Sequence, residues 1–592
     1  MLLAQFLIRA DKRRLLVLTM VVMVESAARV SFAVWFKVLF TGIVGAMLGH
    51  VLVGAAGYAV TLGLVGVLNM VRVTTIGFLQ EELSLAVDQE VMRCNVTPPS
   101  LAFVESRAIR DHLDVLGEDR GKVPAALSSA VGVLQVGFTL ALVLCVLGAV
   151  NPLLLLLPLA AVPSVVLTRQ GERLRDRSAD STAQAIRVSR QLFGLAVSPA
   201  AGRELRLFGL TDQFRYDYSH HWSRYVKIAG HASLQETVLS LGGLLAFFAG
   251  YGLALLTVVH DAIINPSDTA VGNLVLVLTL ATQVNQLVGA TVVSVGSLSA
   301  ATAVFRRLAR LSVAVGLSHE HTVRPSGRWT RLPSQLLQGL VLDDVSLTYP
   351  DTARPALSHV SVTLPAGSTV AIVGENGAGK SSLVKLLAGL YRPSSGRLLV
   401  DGVDLTEWPV EEWWERLSGV FQDFLRPEFT ARQAIGLGDT EHLSDNAVWS
   451  AVRRAGVDSL AEAMPRGLDT QFGSVLPGGR ELSGGQWQQV AIARSKMRRT
   501  PILQLLDEPD ASLDAERQRA VLDAQLVAAR DSRVRVGGIT VVVSHRLSTT
   551  RDADLIIVLH RGQLVEQGDH EQLVSRGGRY AEMFELQAKG YR

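Results

Sequence analysis

Apolar residues run almost unbroken near 15–47, 51–73, 129–149, 152–168, 239–259 and 269–298, each close to or beyond the span that crosses a bilayer as a helix. Only Asn151 and Pro152 divide the third run from the fourth, so a count of six depends on reading that pair as a turn. Residues 74–128 and 169–238 are charged and helix-forming, with breakers concentrated in "NVTPPS" and "VSPAAG". This pattern predicts spans that continue beyond the membrane as long helices, each long loop reversing through a short crosswise segment. Beyond about residue 335 the texture changes to short apolar strands, glycine turns and amphipathic helices, as expected of an α/β domain. The predicted fold is thus a six-helix transmembrane domain with helical extensions (1–318), a polar linker (319–334) and a P-loop-type α/β domain (335–592).

Charge orients the spans. Lys12, Arg13 and Arg14 precede the first, and Arg169, Arg173, Arg175 and Arg177 follow the fourth, whereas "GH", "NP" and "HDAIINPSD" carry no lysine or arginine. The positive-inside rule places both termini, both long loops and the α/β domain in the cytoplasm. The first apolar run lacks a small-residue cleavage site and is read as a retained helix rather than a signal peptide. Composition agrees: 48% hydrophobic and 19% charged residues are too apolar for an ordinary soluble chain. A net charge of +3 gives no case for nucleic-acid binding, and two cysteines, Cys94 and Cys145, give neither a disulfide framework nor a thiolate metal site. Inside the first span, Glu25 and Arg29 are four apart and suit a structural ion pair or a substrate contact. Gln283, Asn285 and Gln286 in the sixth suit a polar cavity or interhelical hydrogen bonds.

The α/β domain carries the chemistry. "GENGAGKSS" follows the strand "STVAIV" and precedes a helix, so Gly374, Glu375, Asn376, Gly377, Ala378 and Gly379 form a loop whose amides can cradle phosphate. Lys380 is placed to neutralise the β and γ phosphates of ATP, Ser381 to ligate Mg2+, and Ser382 lies beside it. The strand before "DEP" delivers Asp507 as a second magnesium ligand and Glu508 as the group that orients or deprotonates water. Gln422, after another short apolar strand, can reach metal or water, and His545 can contact the γ phosphate from the end of "TVVVS". Tyr349 is a candidate to stack on adenine. A second glycine turn, "LSGGQ", offers Ser483, Gly484, Gly485 and Gln486 at a helix start, an anion site that needs no cation. Lying so near the Asp507 strand in sequence, it is read as completing the site of a second copy.

The P-loop, Gln422, "LSGGQ", "LLDEP", "SLD" and "SHR" in this order resemble the nucleotide-binding domain of ATP-binding cassette (ABC) transporters, and the whole chain resembles an exporter-type half-transporter. That resemblance implies a partner, either a second copy or a homologous half, two ATP molecules sandwiched between the pair, and crosswise loop segments docked on the ATPase domains. It also implies a multi-pass protein of a bacterial inner or plasma membrane. "SPAAGRELRLFGL" (198–210) resembles a bacterial subgroup associated with export of peptides or other secondary metabolites. Gln489, Asp510 and Ser382 depart from the arginine, threonine and threonine usual in the family, and the missing arginine at 489 bears on rate rather than fold. The function expected is ATP-driven outward movement of a peptide or secondary metabolite. Lipid flipping or multidrug export is the alternative, with siderophore-type import and membrane regulation behind it.

Overall fold

The computed structural model describes residues 12–96, 100–107, 109–110, 113, 116–117, 121–264, 270–322, 332–509, 515–544 and 550–590. Its backbone divides into two compact units, one of residues 1–91 and 115–309, the other of residues 92–114 and 310–592.

The first unit is helical: α1 (Lys12–Val44), α2 (Leu48–Val96), α3 (Leu101–Glu105, which belongs to the second unit), α4 (Lys122–Val150), α5 (Val162–Val197), α6 (Pro199–Leu207), α7 (Thr211–Ile264) and α8 (Ala270–Thr322). Among the described residues, six helical stretches are long and apolar enough to cross a membrane. The crosswise segments predicted at the breakers are α3 and α6, the latter opening on Pro199, where a missing N–H costs nothing. Span four departs from expectation. Pro152, Pro158 and Pro163 prevent one continuous helix, so a 3-10 turn at Pro152–Leu156 and a short helix at Leu157–Ala160 precede α5. Helix α8 runs through Thr322, four residues into the segment read as linker.

Small residues bring these helices close. A Cβ on Gly57 would sit 2.4 Å from the Trp35 ring, and one on Gly54 would sit 2.7 Å from the backbone of Leu39, so α1 and α2 touch along a glycine face. Val30 and Ala33 of α1, Val143 and Leu147 of α4, Val258 of α7 and Val277 and Leu280 of α8 share one core. Val60 and Met70, both more than 70% exposed, sit on faces suited to lipid.

Among its described residues the second unit holds two sheets. An antiparallel one is ordered β2 (Leu357–Pro365), β1 (Gly339–Leu347), β4 (Ser395–Val400), β5 (Val403–Asp404), with β3 (Thr369–Val373) lying in the other sheet. That sheet is ordered β10 (Gln563–Gly568), β9 (Leu555–His560), β3, β8 (Ile539–Val543), β7 (Leu503–Asp507), β6 (Leu417–Val420). All but β10 are parallel. The helices that matter below are α9 (Lys380–Leu387), α10 (Asp445–Arg454), α11 (Gly484–Ser495) and α12 (Ala515–Val536). Strands β3, β7 and β8 are buried on nearly every residue, as a sheet covered on both faces requires.

Candidate nucleotide site

Parallel strands place their carboxyl ends at one edge, and the register there is tight: Ile372 of β3 pairs with Val543 of β8, Val543 with Asp507 of β7, and Leu506 with Val420 of β6. The P-loop, Asp507, Glu508 and Gln422 therefore leave the sheet side by side, where open α/β sheets bind ligands. His545 follows β8 at the same edge in sequence but lies outside the described residues, as do Asp510 and the "SLD" stretch at 512–514.

The loop takes its shape from backbone that side chains resist. Gly374, Gly377 and Gly379 have φ of 152°, 78° and 102°, and a Cβ on Gly374 would lie 2.3 Å from the Leu559 carbonyl oxygen. Gly379 opens α9, leaving Lys380, Ser381 and Ser382 in its first turn with backbone N–H groups unclaimed by the helix. Lys380 is buried, and its Nζ donates to the carbonyls of Gly374 (2.8 Å) and Glu375 (3.0 Å). Burial lowers its pKa, while Glu508 and Asp507 pull it back up. Glu375 projects outward to Arg579 at 3.6 Å, Asn376 is exposed, and Ala378 is buried beneath the loop.

Asp507 is 4% exposed at the end of β7, and Glu508 follows with φ of +51°, a conformation costly for a branched-free but non-glycine residue. Two bonds hold that strained residue: its N–H donates to Val543 O (3.1 Å), and its carbonyl accepts from Gln488 Nε2 (3.1 Å). Gln488 was not singled out in the sequence, since one buried glutamine in a helix gives no sign of what it reaches. Gln422 is exposed two residues beyond Val420. Tyr349 sits beside the loop, its hydroxyl donating to Ser382 Oγ (3.0 Å) and its ring edge-on to Tyr391 at 5.0 Å, with Lys385 Nζ 5.7 Å from its centroid.

The second glycine turn is a helix start, as expected. Ser483 caps α11 in a capping box, accepting from Gln486 N (3.2 Å) while Gln486 Oε1 accepts from Ser483 N (2.9 Å). Ser483 and Gly484 are exposed, and Gly485 and Gln486 are partly so, leaving the tip open to an external anion. Gln489 is buried and donates to Ser459 Oγ (3.1 Å), so the neutral side chain is satisfied.

No group of three or more His, Cys, Asp or Glu side chains able to hold a metal occurs among the described residues. Ser381 and the buried Asp507 nevertheless fit magnesium, which takes one or two protein oxygens and completes its shell with phosphate and water. The Glu25–Arg29 pair of the first unit proves to be a triad. Glu25, fully buried, accepts from Arg29 (2.6 Å) and from Arg72 Nε (2.8 Å), and Arg72 also donates to Asn69 (2.6 Å). Arg72 closes the second apolar run, and nothing in sequence aligns it with Glu25.

A phosphate loop, a buried aspartate, a strained glutamate and an exposed helix tip, carried on a chain with six apolar helices, define a P-loop ATPase fused to a membrane domain. Residues 357–511 match the ABC transporter family model. The chain is 37% identical over 282 residues to the ATP-dependent lipid A-core flippase of Thiobacillus denitrificans, covering 48% of this chain and 47% of that protein. It is 35% identical over 250 residues to the subtilin transport ATP-binding protein of Bacillus subtilis, covering 42% and 40%. The chain thus spans about half or less of the curated relatives it matches. A solved bacterial Atm1-family ABC exporter with ATP bound shares the fold at a TM-score of 0.80 and 24% identity, covering 98% of this chain and 99% of that one. Residues 357–511 are thus similar to the ABC transporter ATPase domain, and the chain as a whole shares the fold of that exporter, with six helices of membrane-spanning length among the described residues.

Proposed function

We propose that the protein is one half of an ATP-driven exporter that hydrolyses ATP at composite sites and moves an amphiphilic cargo outward. The observation that carries this reading is the convergence of the P-loop, Asp507 and Glu508 on one sheet edge of a chain with six membrane-length helices. The loop amides and Lys380 bind the phosphates of ATP. Ser381 and Asp507, with Gln422 near the water, would hold Mg2+, which would supply positive charge beside the phosphates. Glu508 orients and deprotonates the attacking water, and His545 contacts the γ phosphate. Tyr349 stacks on adenine once its edge contact with Tyr391 opens. Ser483, Gly484, Gly485 and Gln486 close the site of a partner chain, an identical copy or a homologous half, through the amides of the α11 tip.

For cargo, the comparisons favour the lipid reading over the peptide or secondary metabolite placed first from sequence. Lipid A-core flippases recur among the relatives, although subtilin and nisin transport proteins stand beside them. The Glu25–Arg29–Arg72 triad adds a physical argument. Two guanidinium groups share one carboxylate at the level of the spans, and the excess positive charge suits an anionic headgroup. The test is ATP-dependent accumulation in inside-out vesicles. Labelled anionic lipid should accumulate, and neutral lipid and cationic peptide should not. Accumulation of peptide alone would return the cargo to the first reading, and ATP turnover with no cargo movement would reject export.

A further inference from the structure

Far along α11 from its exposed tip, the helix ends on an unusual residue. Lys496, the residue after Ser495, is 4% exposed, and its Nζ has no hydrogen-bond partner among the described residues. A buried ammonium without a partner is among the costlier arrangements a fold can carry. It lines a cavity of about 430 Å³ shared with Arg453 and Arg454 at the end of α10, Arg498 and Arg499 in the loop before β7, Gln504 of β7, and Asp531 of α12. The carboxylate is already engaged, Asp531 accepting from Arg535 at 2.7 Å. Four guanidinium groups thus face one committed carboxylate, before Lys496 is counted.

Helix ends attract cations, and part of the cluster answers to that. Arg454 donates to the Lys496 carbonyl and to Ser450 Oγ (2.7 Å), and Arg498 donates to the carbonyls of Trp414 and Leu417. Those bonds do not reach Lys496 Nζ, and they leave Arg453 and Arg499 exposed at the cavity rim. A second orphan donor lies behind the wall: Gln525 Nε2 is buried and unpaired, although its Oε1 accepts from Gln504 (3.2 Å). Donors and positive charge are in surplus, and the missing partner is an acceptor with several negative charges.

We infer that this cavity is a binding site for a diphosphate group, free or borne on a small soluble molecule, with Lys496 as its buried contact and Arg453 and Arg499 as its rim. Four arginines less Asp531 leave three net positive charges before Lys496 is counted, which match a diphosphate better than a monoester, and the volume accommodates one. The site is separate from the P-loop and stands at the opposite end of the helix that begins beyond Ser483.

The protonation state gives the test its discriminating readout. Burial, and secondarily Arg454, bring the Lys496 pKa down to about 7. The guanidinium groups of Arg453, Arg454, Arg498 and Arg499 line the same cavity, with Asp531 as the one carboxylate in that lining. Lys496 in the empty site is therefore mostly neutral at pH 8.5, and a bound anion must draw a proton onto it. The experiment uses the full chain in lipid nanodiscs with Lys380→Ala, to weaken the P-loop as a competitor, and titrates inorganic pyrophosphate by calorimetry in buffers of different ionisation heat. Adding Lys496→Met should weaken binding about tenfold or more and remove close to one proton of uptake at pH 8.5; pyrophosphate's own protons cancel in the comparison. Arg453→Gln with Arg499→Gln, both at the surface, should weaken binding without altering the melting temperature of the empty protein. Equal affinity and equal proton uptake with and without Lys496, or no loss on removing the two rim arginines, overturns the site.

Discussion

Glu508 joins two properties seldom found together without a use: a carboxylate on a left-handed backbone, and bonds that hold it there from a neighbouring strand and from α11. Strain of this kind is maintained by its surroundings, here Val543 and Gln488. Replacing Glu508 by Gln keeps shape and backbone while removing the basic oxygen. ATP hydrolysis should fall by about two orders of magnitude or more with ATP affinity retained, measured as turnover alongside equilibrium nucleotide binding. The same change removes the first of the two carboxylates that raise the Lys380 pKa, while Asp507 remains to oppose the lowering by burial. Hydrolysis near the original rate would assign the water to another group.

At the scale of elements, α3 shows how a five-residue helix acquires a place. Ser100 caps it through Ala102 N and also donates to Leu390 O, Leu101 N donates to the same carbonyl at 2.9 Å, and Arg107 N donates to Asp351 at 2.9 Å. Glu105 accepts from the hydroxyl of Tyr391, whose pKa is raised by burial and then by that bond. Tyr391 in turn meets Tyr349, the residue proposed to stack on adenine, so one chain of contacts joins a loop between membrane helices to the nucleotide site. Glu105→Gln exchanges a charge-assisted bond for a neutral one. Cargo moved per ATP hydrolysed should drop by about threefold or more while basal hydrolysis changes by less than about twofold, read by measuring both in the same vesicles. Equal loss of both would make the contact structural only. Elements of this kind were half legible in the sequence. The proline-marked reversals announced α3 and α6 because breakers act locally, and the P-loop and Asp507 were legible because glycine φ and a strand-end acid carry their chemistry with them. Gln488, Arg72, Glu105 and Lys496 were not, since each acquires meaning only from a partner that folding brings from another element. The breaks in span four were missed because three prolines in an apolar run leave hydropathy unchanged.

For the whole molecule, the question is whether each ATPase domain works alone. The tip of α11 answers in part: Ser483 uses both its Oγ and its N–H in the capping box with Gln486, while the N–H groups of Gly484 and Gly485, unclaimed by the helix, lie at an exposed tip suited to an anion. Lys380, in the same chain, is buried in its own loop. If the two halves of a site come from different chains, lesions in one chain's Ser483 and the other chain's Lys380 fall together in one composite site and spare its twin. Chains carrying Ser483→Arg and chains carrying Lys380→Ala, joined as a heterodimer and isolated through two different tags, should then recover hydrolysis well above either mutant homodimer, towards about half of wild type if the sites fire independently. Recovery absent from activity but accompanied by ATP-dependent crosslinking between position 483 and the opposite P-loop would mean that both sites must fire together. Absence of both would reject the shared site, and with it the closing of two domains around ATP as the step that drives cargo across the membrane.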